Sequence, residues 1–198
     1  KGVKKKFQRC TRQAIQKKEQ HDAEQRMRHK LERWHIGGTI GTYNRRILYT
    51  IGDLRQLVPA RVSAAVLRTI FNGWVTEDRF QRGSHCLLGC NGFTDEDSIE
   101  HYATCPTVIQ FARKFLHLNV RWHKPSLGNF ITLGLHKGTV PDNILSLRAI
   151  LVYSTYRVTN LYRHEGKTCK EDAMNAMQLF AKEAVRGHAR AQYILQTG

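Results

Sequence analysis

Apolar and polar positions first fall into a regular order at Ala60. Val62, Ala65, Val66, Thr69 and Ile70 recur at the i, i+3, i+4, i+7 and i+8 positions of one helix face. Asn72-Gly73 supplies the stop. The same spacing returns in Val108, Phe111, Ala112 and Phe115. A looser stretch with Gly and Pro turn signals follows, from 119 to 143. A long helix is then expected from about Pro141 to His164, with proline in its first turn and Gly166 past its end. Its apolar seam is Ile144, Leu147, Leu151, Ser154, Val158 and Leu161. Thr168-x-x-Glu171 has the form of a capping box for a last helix, with Met174, Met177, Ala181 and Ala184 facing inward as ordinary core. A short loop between these two helices makes an antiparallel pair the expected arrangement.

The N-terminal third patterns differently. Residues 1–36 are rich in Lys, Arg, Gln and Glu, which favour a helix. Their apolar members Phe7, Ile15, Met27, Leu31 and Trp34 are too sparse for a continuous stripe, so a basic helical arm is expected. A solvated tail and a retained organelle-targeting segment are the alternatives. Residues 37–59 carry glycines at 37, 38, 41 and 52, which break any long helix. The run Arg45–Ile51 reads as a short strand or a buried connector. Gly37-Gly38 is no phosphate loop, because no Lys-Ser or Lys-Thr follows at the required spacing. The fold expected is mainly α, with a small zinc knuckle between helices. Its parts are an arm (1–36), a connector (37–59), a knuckle with flanking helices (60–118) and a basic helical C-terminal region (119–198).

Charge sharpens this division. The 198 residues carry a net charge of +16. Residues 1–34 hold 12 Lys and Arg against 4 Asp and Glu, and residues 106–198 hold 13 against 5. The middle, 35–105, balances at 7 against 7. A basic arm and a basic C-terminal face around a neutral centre point to a polyanionic partner. No apolar run approaches a membrane span and none opens the chain as a secretory signal. Lys1 in place of methionine suggests a fragment or a processed product.

The chemistry lies in the neutral centre. Five cysteines, three of them clustered with a histidine, do not form a secreted disulfide framework, and a reducing compartment is expected. Cys10 and Cys169 read as free thiols without a role. Cys86-x3-Cys90-x10-His101-x3-Cys105 offers three sulfurs and one imidazole, the donor set of a closed tetrahedral zinc site. Gly89 lets the backbone curl between the first two ligands, and Asn91-Gly92 makes a turn. Asp95, Asp97 and Ser98 suit the start of a short helix on which His101 and Cys105 share a face. Pro106 disfavours helical geometry at Cys105. All four positions are filled, so the zinc is read as structural rather than catalytic. His85 is a spare candidate ligand, ranked below His101. Asp95, Glu96, Asp97 and Glu100 are read as helix N-terminal charges that keep the knuckle neutral.

The stretch from Gly73 to Pro106, with its Cys pair, acidic segment, "IEH" and "CP", resembles the zinc-binding segment found after the reverse transcriptase domain of non-LTR retrotransposons. The resemblance covers roughly residues 60–118, and "TIFNGW", Arg79 and Phe80 fit it. The first Cys pair has three intervening residues where two is more usual. The resemblance implies a nucleic-acid-associated module. Polymerisation needs paired aspartates, and no Asp-Asp occurs. The acids after Cys105 (Asp142, Glu165, Glu171, Asp172 and Glu183) do not fall in an endonuclease pattern.

The expectation is therefore a non-catalytic RNA-binding subunit of a large ribonucleoprotein. A mitochondrial ribosome is favoured, with ribosomal RNA and neighbouring proteins as partners. Lys4, Lys5, Lys6, Arg9, Arg12, Lys17, Lys18, Arg26, Arg28, Arg157 and Arg163 are the expected phosphate contacts. Tyr153, Tyr156 and Tyr162 are candidates for stacking, or for packing against a neighbouring helix. One alternative is a nuclear, C-terminal nucleic-acid-binding fragment of a retrotransposon reverse transcriptase. Another is a zinc-stabilised adaptor between proteins.

Overall fold

The computed structural model describes residues 21–36, 42–78, 85–90, 96–118, 127–165 and 170–197. Of the sequence expectations, those on Lys4, Lys5, Lys6, Arg9, Cys10, Arg12, Lys17, Lys18, Arg79, Phe80, Asn91, Gly92, Asp95, Gly166, Thr168 and Cys169 lie outside these residues. The described part is helical, with no strand. Helix α1 covers residues 21–33, and α2 spans Thr42–Asp53 and runs into a 3-10 turn, Leu54–Gln56. Next come α3 (Ala60–Ile70), the one-turn α4 (Ile99–Tyr102), α5 (Pro106–Lys114) and the short α6 (Leu127–Ile131). The chain ends in α7 (Asp142–Glu165), α8 (Lys170–Val185) and α9 (Ala189–Thr197).

Helix α3 buries the face its period marks: Val62, Ala65, Val66, Thr69 and Ile70. Asn72, with φ 51°, carries the chain out of it. Arg61 at its start reaches across the fold and donates to the carbonyls of Glu183 and Ala184 at 2.6 and 2.9 Å. These are acceptors left over at the end of α8, where the helix dipole also favours a cation.

Helix α7 is the central element. Ala149 to Thr155 are buried without interruption, so the helix has no solvent face in its middle, and α3, α5, α8 and α9 pack around it. This exceeds the single seam expected from its apolar steps. Two of its buried hydroxyls bond to the helix's own carbonyls. Ser146 donates to the Asp142 carbonyl at 2.7 Å and Thr155 to the Leu151 carbonyl at 2.9 Å, so neither hydroxyl is buried without a bond. The contact between α7 and α8 is the most extensive of any helix pair, with Ala173, Met177, Ala181 and Ala184 buried on α8.

Two expectations are corrected. The run Arg45–Ile51, read as a short strand or a buried connector, belongs to helix α2. Ile47, Ile51 and Leu54 fall at i, i+4 and i+7 and are fully buried, and Gly52 sits on the open side, where an added Cβ would meet nothing within 4 Å, and does not interrupt α2. The C-terminal part of the basic arm belongs to the core. Met27 and Leu31, one turn apart on α1, are 0% and 4% exposed. Two apolar residues suffice when a neighbouring face receives them, and one cluster of buried side chains runs from Met27 to Ile194.

Candidate metal centre

The knuckle is held by short-range geometry. Gly89 has φ 60°, and its N–H bonds back to the Cys86 carbonyl at 3.2 Å, which turns Cys90 toward Cys86. On the other side, Ser98 caps α4 by accepting from the His101 N–H at 3.0 Å. Cys105 is extended at ψ 126°, as the following proline requires, and Pro106 opens α5 as its first residue. Thr107 ties the halves together by donating to the Leu88 carbonyl at 3.3 Å.

The sulfurs of Cys86, Cys90 and Cys105 and a ring nitrogen of His101 all lie within 4.8 Å of one another, and all four residues are buried. Cys86 Sγ and Cys105 Sγ are 3.8 Å apart, and Cys90 Sγ is 3.1 Å from His101 Nε2. A disulfide would need about 2.05 Å. Two sulfurs each about 2.3 Å from one tetrahedral ion stand about 3.8 Å apart, so the cluster fits a metal in its centre. His101 presents Nε2 to that centre. The Cys105 thiol is pulled down to about 4, first by the hydrogen bond from Cys86 and then by His101, against the effect of burial. The Cys86 thiol moves up, since it keeps the shared proton. The cluster is thus disposed to carry thiolate, the form that binds metal. His85 is exposed and is not among the four.

Around the four donors lies a polar network that no local sequence pattern marks. Asp97 is fully buried. Its carboxylate accepts from the Glu77 N–H at 2.9 Å, from the Tyr102 hydroxyl at 2.6 Å and from Arg163 Nη2 at 2.8 Å to each oxygen. Burial, then the charge and hydrogen bond of Asp97, push the Tyr102 hydroxyl up, so it stays protonated and donates. Tyr102 also packs on Trp74 and, edge-on, on the His101 ring. The aspartate therefore fixes α4, which carries His101, to the central helix α7. Trp34, just past α1, donates its indole N–H to Glu100 at 2.6 Å and ties a third element to α4.

These contacts correct several assignments. Asp97 does stand at the start of α4, but its charge is an internal anchor rather than one spent on the helix dipole. Arg163, expected as a phosphate contact, has a side chain only 14% exposed and paired to Asp97, which makes it part of the fold. Tyr153 and Tyr162 are buried, while Tyr156 packs on Trp74 and accepts from Arg68 at 2.7 Å, which is the packing reading of these rings rather than the stacking one. Arg26 is exposed, Arg28 is exposed but paired with Glu32 at 2.9 Å, and Arg157 is exposed over the Phe180 ring. The Arg163–Asp97 pair joins positions 66 apart and leaves no local pattern that would have found it. Among the described residues no helix is long and apolar enough to cross a membrane.

No family model matches the chain, and neither a curated protein nor a solved structure is similar to it.

Proposed function

We propose that this chain is a non-catalytic RNA-binding protein, a structural subunit of a large ribonucleoprotein, clasped by one structural zinc ion on Cys86, Cys90, His101 and Cys105. The observation that carries the reading is the closed, buried four-donor cluster inside a chain of net charge +16. Four protein donors complete a tetrahedral zinc and leave no position for water or substrate, so the ion supplies cross-linking rather than Lewis acidity. Zinc suits three sulfurs and an imidazole better than the hard cations, which take oxygen.

Exposed cations supply the polyanion-binding part. Arg26, Arg33, Arg113, Lys114 and Lys137 are exposed, and no carboxylate pairs with them among the described residues. The lysines and arginines of residues 1–18 add a further block of charge. Such cations contact phosphates without regard to sequence, and the affinity they give falls steeply with salt. A mitochondrial ribosome, with its ribosomal RNA and neighbouring proteins, is the assembly we favour.

The test has two parts. Elemental analysis should find one zinc per chain, and native purification should recover the protein on ribosomal subunits that survive high salt. Metal-free protein with an unchanged fold would overturn the zinc assignment. RNA affinity indifferent to salt would favour a protein–protein adaptor instead. The motif between Gly73 and Pro106 favours a second reading, a nucleic-acid-binding fragment of a non-LTR retrotransposon reverse transcriptase. A Tyr-x-Asp-Asp motif in the reading frame upstream of Lys1 would select it.

A further inference from the structure

A cavity of about 540 Å³ opens where the end of α5, α6 and the start of α7 meet. That volume falls within the usual range for small-ligand pockets, far more than one bare anion needs. Three basic residues line it, His117, Lys137 and Arg148, and among the described residues no acidic one does. The acid nearest in sequence, Asp142, is turned to Arg190 at 2.7 Å. Val140 and Ile144 give the cavity an apolar wall beside the cations.

The fold holds Arg148 in place at some cost. Its Nη1 donates to the Leu133 carbonyl at 2.8 Å and lies over Gly134 where a Cβ would stand. Leu133 and Gly134 are both left-handed, at φ 54° and 84°, and Leu133 is fully buried. A buried leucine in that conformation is strained, and such strain gathers at binding sites. Burial lowers the Arg148 pKa, and no carboxylate among the described residues offsets its charge. His136 next to the cavity is held below its ordinary value by burial and by the charges of Lys137 and Arg148. The local field is cationic and uncompensated.

We infer that this cavity binds one nucleotide, with Lys137 and Arg148 on its phosphate and Val140 and Ile144 against its sugar or base. Arginine's planar fork and a lysine point charge together suit a phosphate. The source is a nucleotide within a single-stranded RNA or a free mononucleotide. The first source rests on the RNA-binding reading above, and the cavity itself does not.

The experiment uses the zinc-loaded full chain with two probes, adenosine 5′-monophosphate and a fluorescent single-stranded oligoribonucleotide. Lys137→Glu is the test variant, since Lys137 is exposed and its loss should not unfold the protein. Arg55→Glu is the same charge reversal outside the cavity. The mononucleotide should shift the amide resonances of Gly134 and of Lys137 to Val140, and Lys137→Glu should abolish this. Oligonucleotide affinity should fall about tenfold in Lys137→Glu, the loss of one charge-assisted contact, and much less in Arg55→Glu. Equal losses from both reversals, with no shift from the mononucleotide, would overturn the cavity's role while leaving general RNA binding intact. A mononucleotide response without oligonucleotide binding would uphold the cavity as a free-nucleotide site and refute the RNA reading. No response to either probe would refute both.

Discussion

Removing the Asp97 carboxylate should be among the most damaging single changes in this protein. The side chain is fully buried and accepts four contacts from three donors: Arg163, the Tyr102 hydroxyl and the Glu77 N–H. Asp97→Asn keeps the shape but leaves the Arg163 cation, 14% exposed, without its counter-charge. Breaking a buried pair from one side costs about 3–5 kcal/mol, largely the penalty on the charge left behind. Domains of this size have about 5–15 kcal/mol in total, so the variant should lie near the edge of folding. Arg163→Gln should cost a similar amount, somewhat less because Tyr102 and the Glu77 amide still donate to the carboxylate. The double variant should recover about 1–3 kcal/mol relative to the sum of the singles. Urea unfolding of the metal-loaded protein, followed by tryptophan fluorescence, measures all three. Trp74 is a suitable reporter, 1% exposed and in contact with Tyr102. An Arg163→Gln variant that stays within about 0.5 kcal/mol of the parent, the range of an ordinary surface change, and instead weakens RNA binding would overturn the anchoring role of the pair.

Three further outcomes are expected. Met27→Ala should lower stability by about 2–5 kcal/mol in denaturant unfolding, as a cavity in the core does, whereas the exposed neighbour Arg26→Ala should change little. Gly134→Ala should cost about 1–3 kcal/mol, because φ 84° is unfavourable for alanine and its Cβ would displace the Arg148 guanidinium; a lower Tm and weaker mononucleotide binding would report this. Acidification from pH 8 to 5 should release zinc and reduce stability. Cys105 is depressed from an ordinary value of 9.0 to about 4, so between those values the folded chain binds fewer protons than the unfolded one and its stability rises with pH. Metal content and unfolding midpoint are measured together across that range; a midpoint that does not fall between pH 8 and 5 would contradict the depressed Cys105 thiol.

Where an element depends on its own residues, the chain announces it. The buried faces of α3 and α5 are those their helical period marks, because an amphipathic stripe needs only one side to be covered. The knuckle was legible for a similar reason. Gly89, Ser98 and Pro106 act on neighbours within a few positions, and the ligand spacing follows from them. Helix α2 carried a readable signal in Ile47, Ile51 and Leu54, hidden behind a glycine that proved harmless on an open face.

Tertiary structure decided the rest. Whether Met27 and Leu31 are an arm or a core depends on a surface supplied by other elements. Whether Ser154 and Thr155 face water depends on how many helices surround α7. Asp97 and Arg163 look like surface charges one at a time and become a buried anchor only when chain segments 66 positions apart are brought together. Sequence thus determined the local periodicities and the cluster of three cysteines and a histidine. The division of the charges into those that hold the fold and those left to meet a partner was decided by packing, because burial is a property of neighbours and no residue carries it alone.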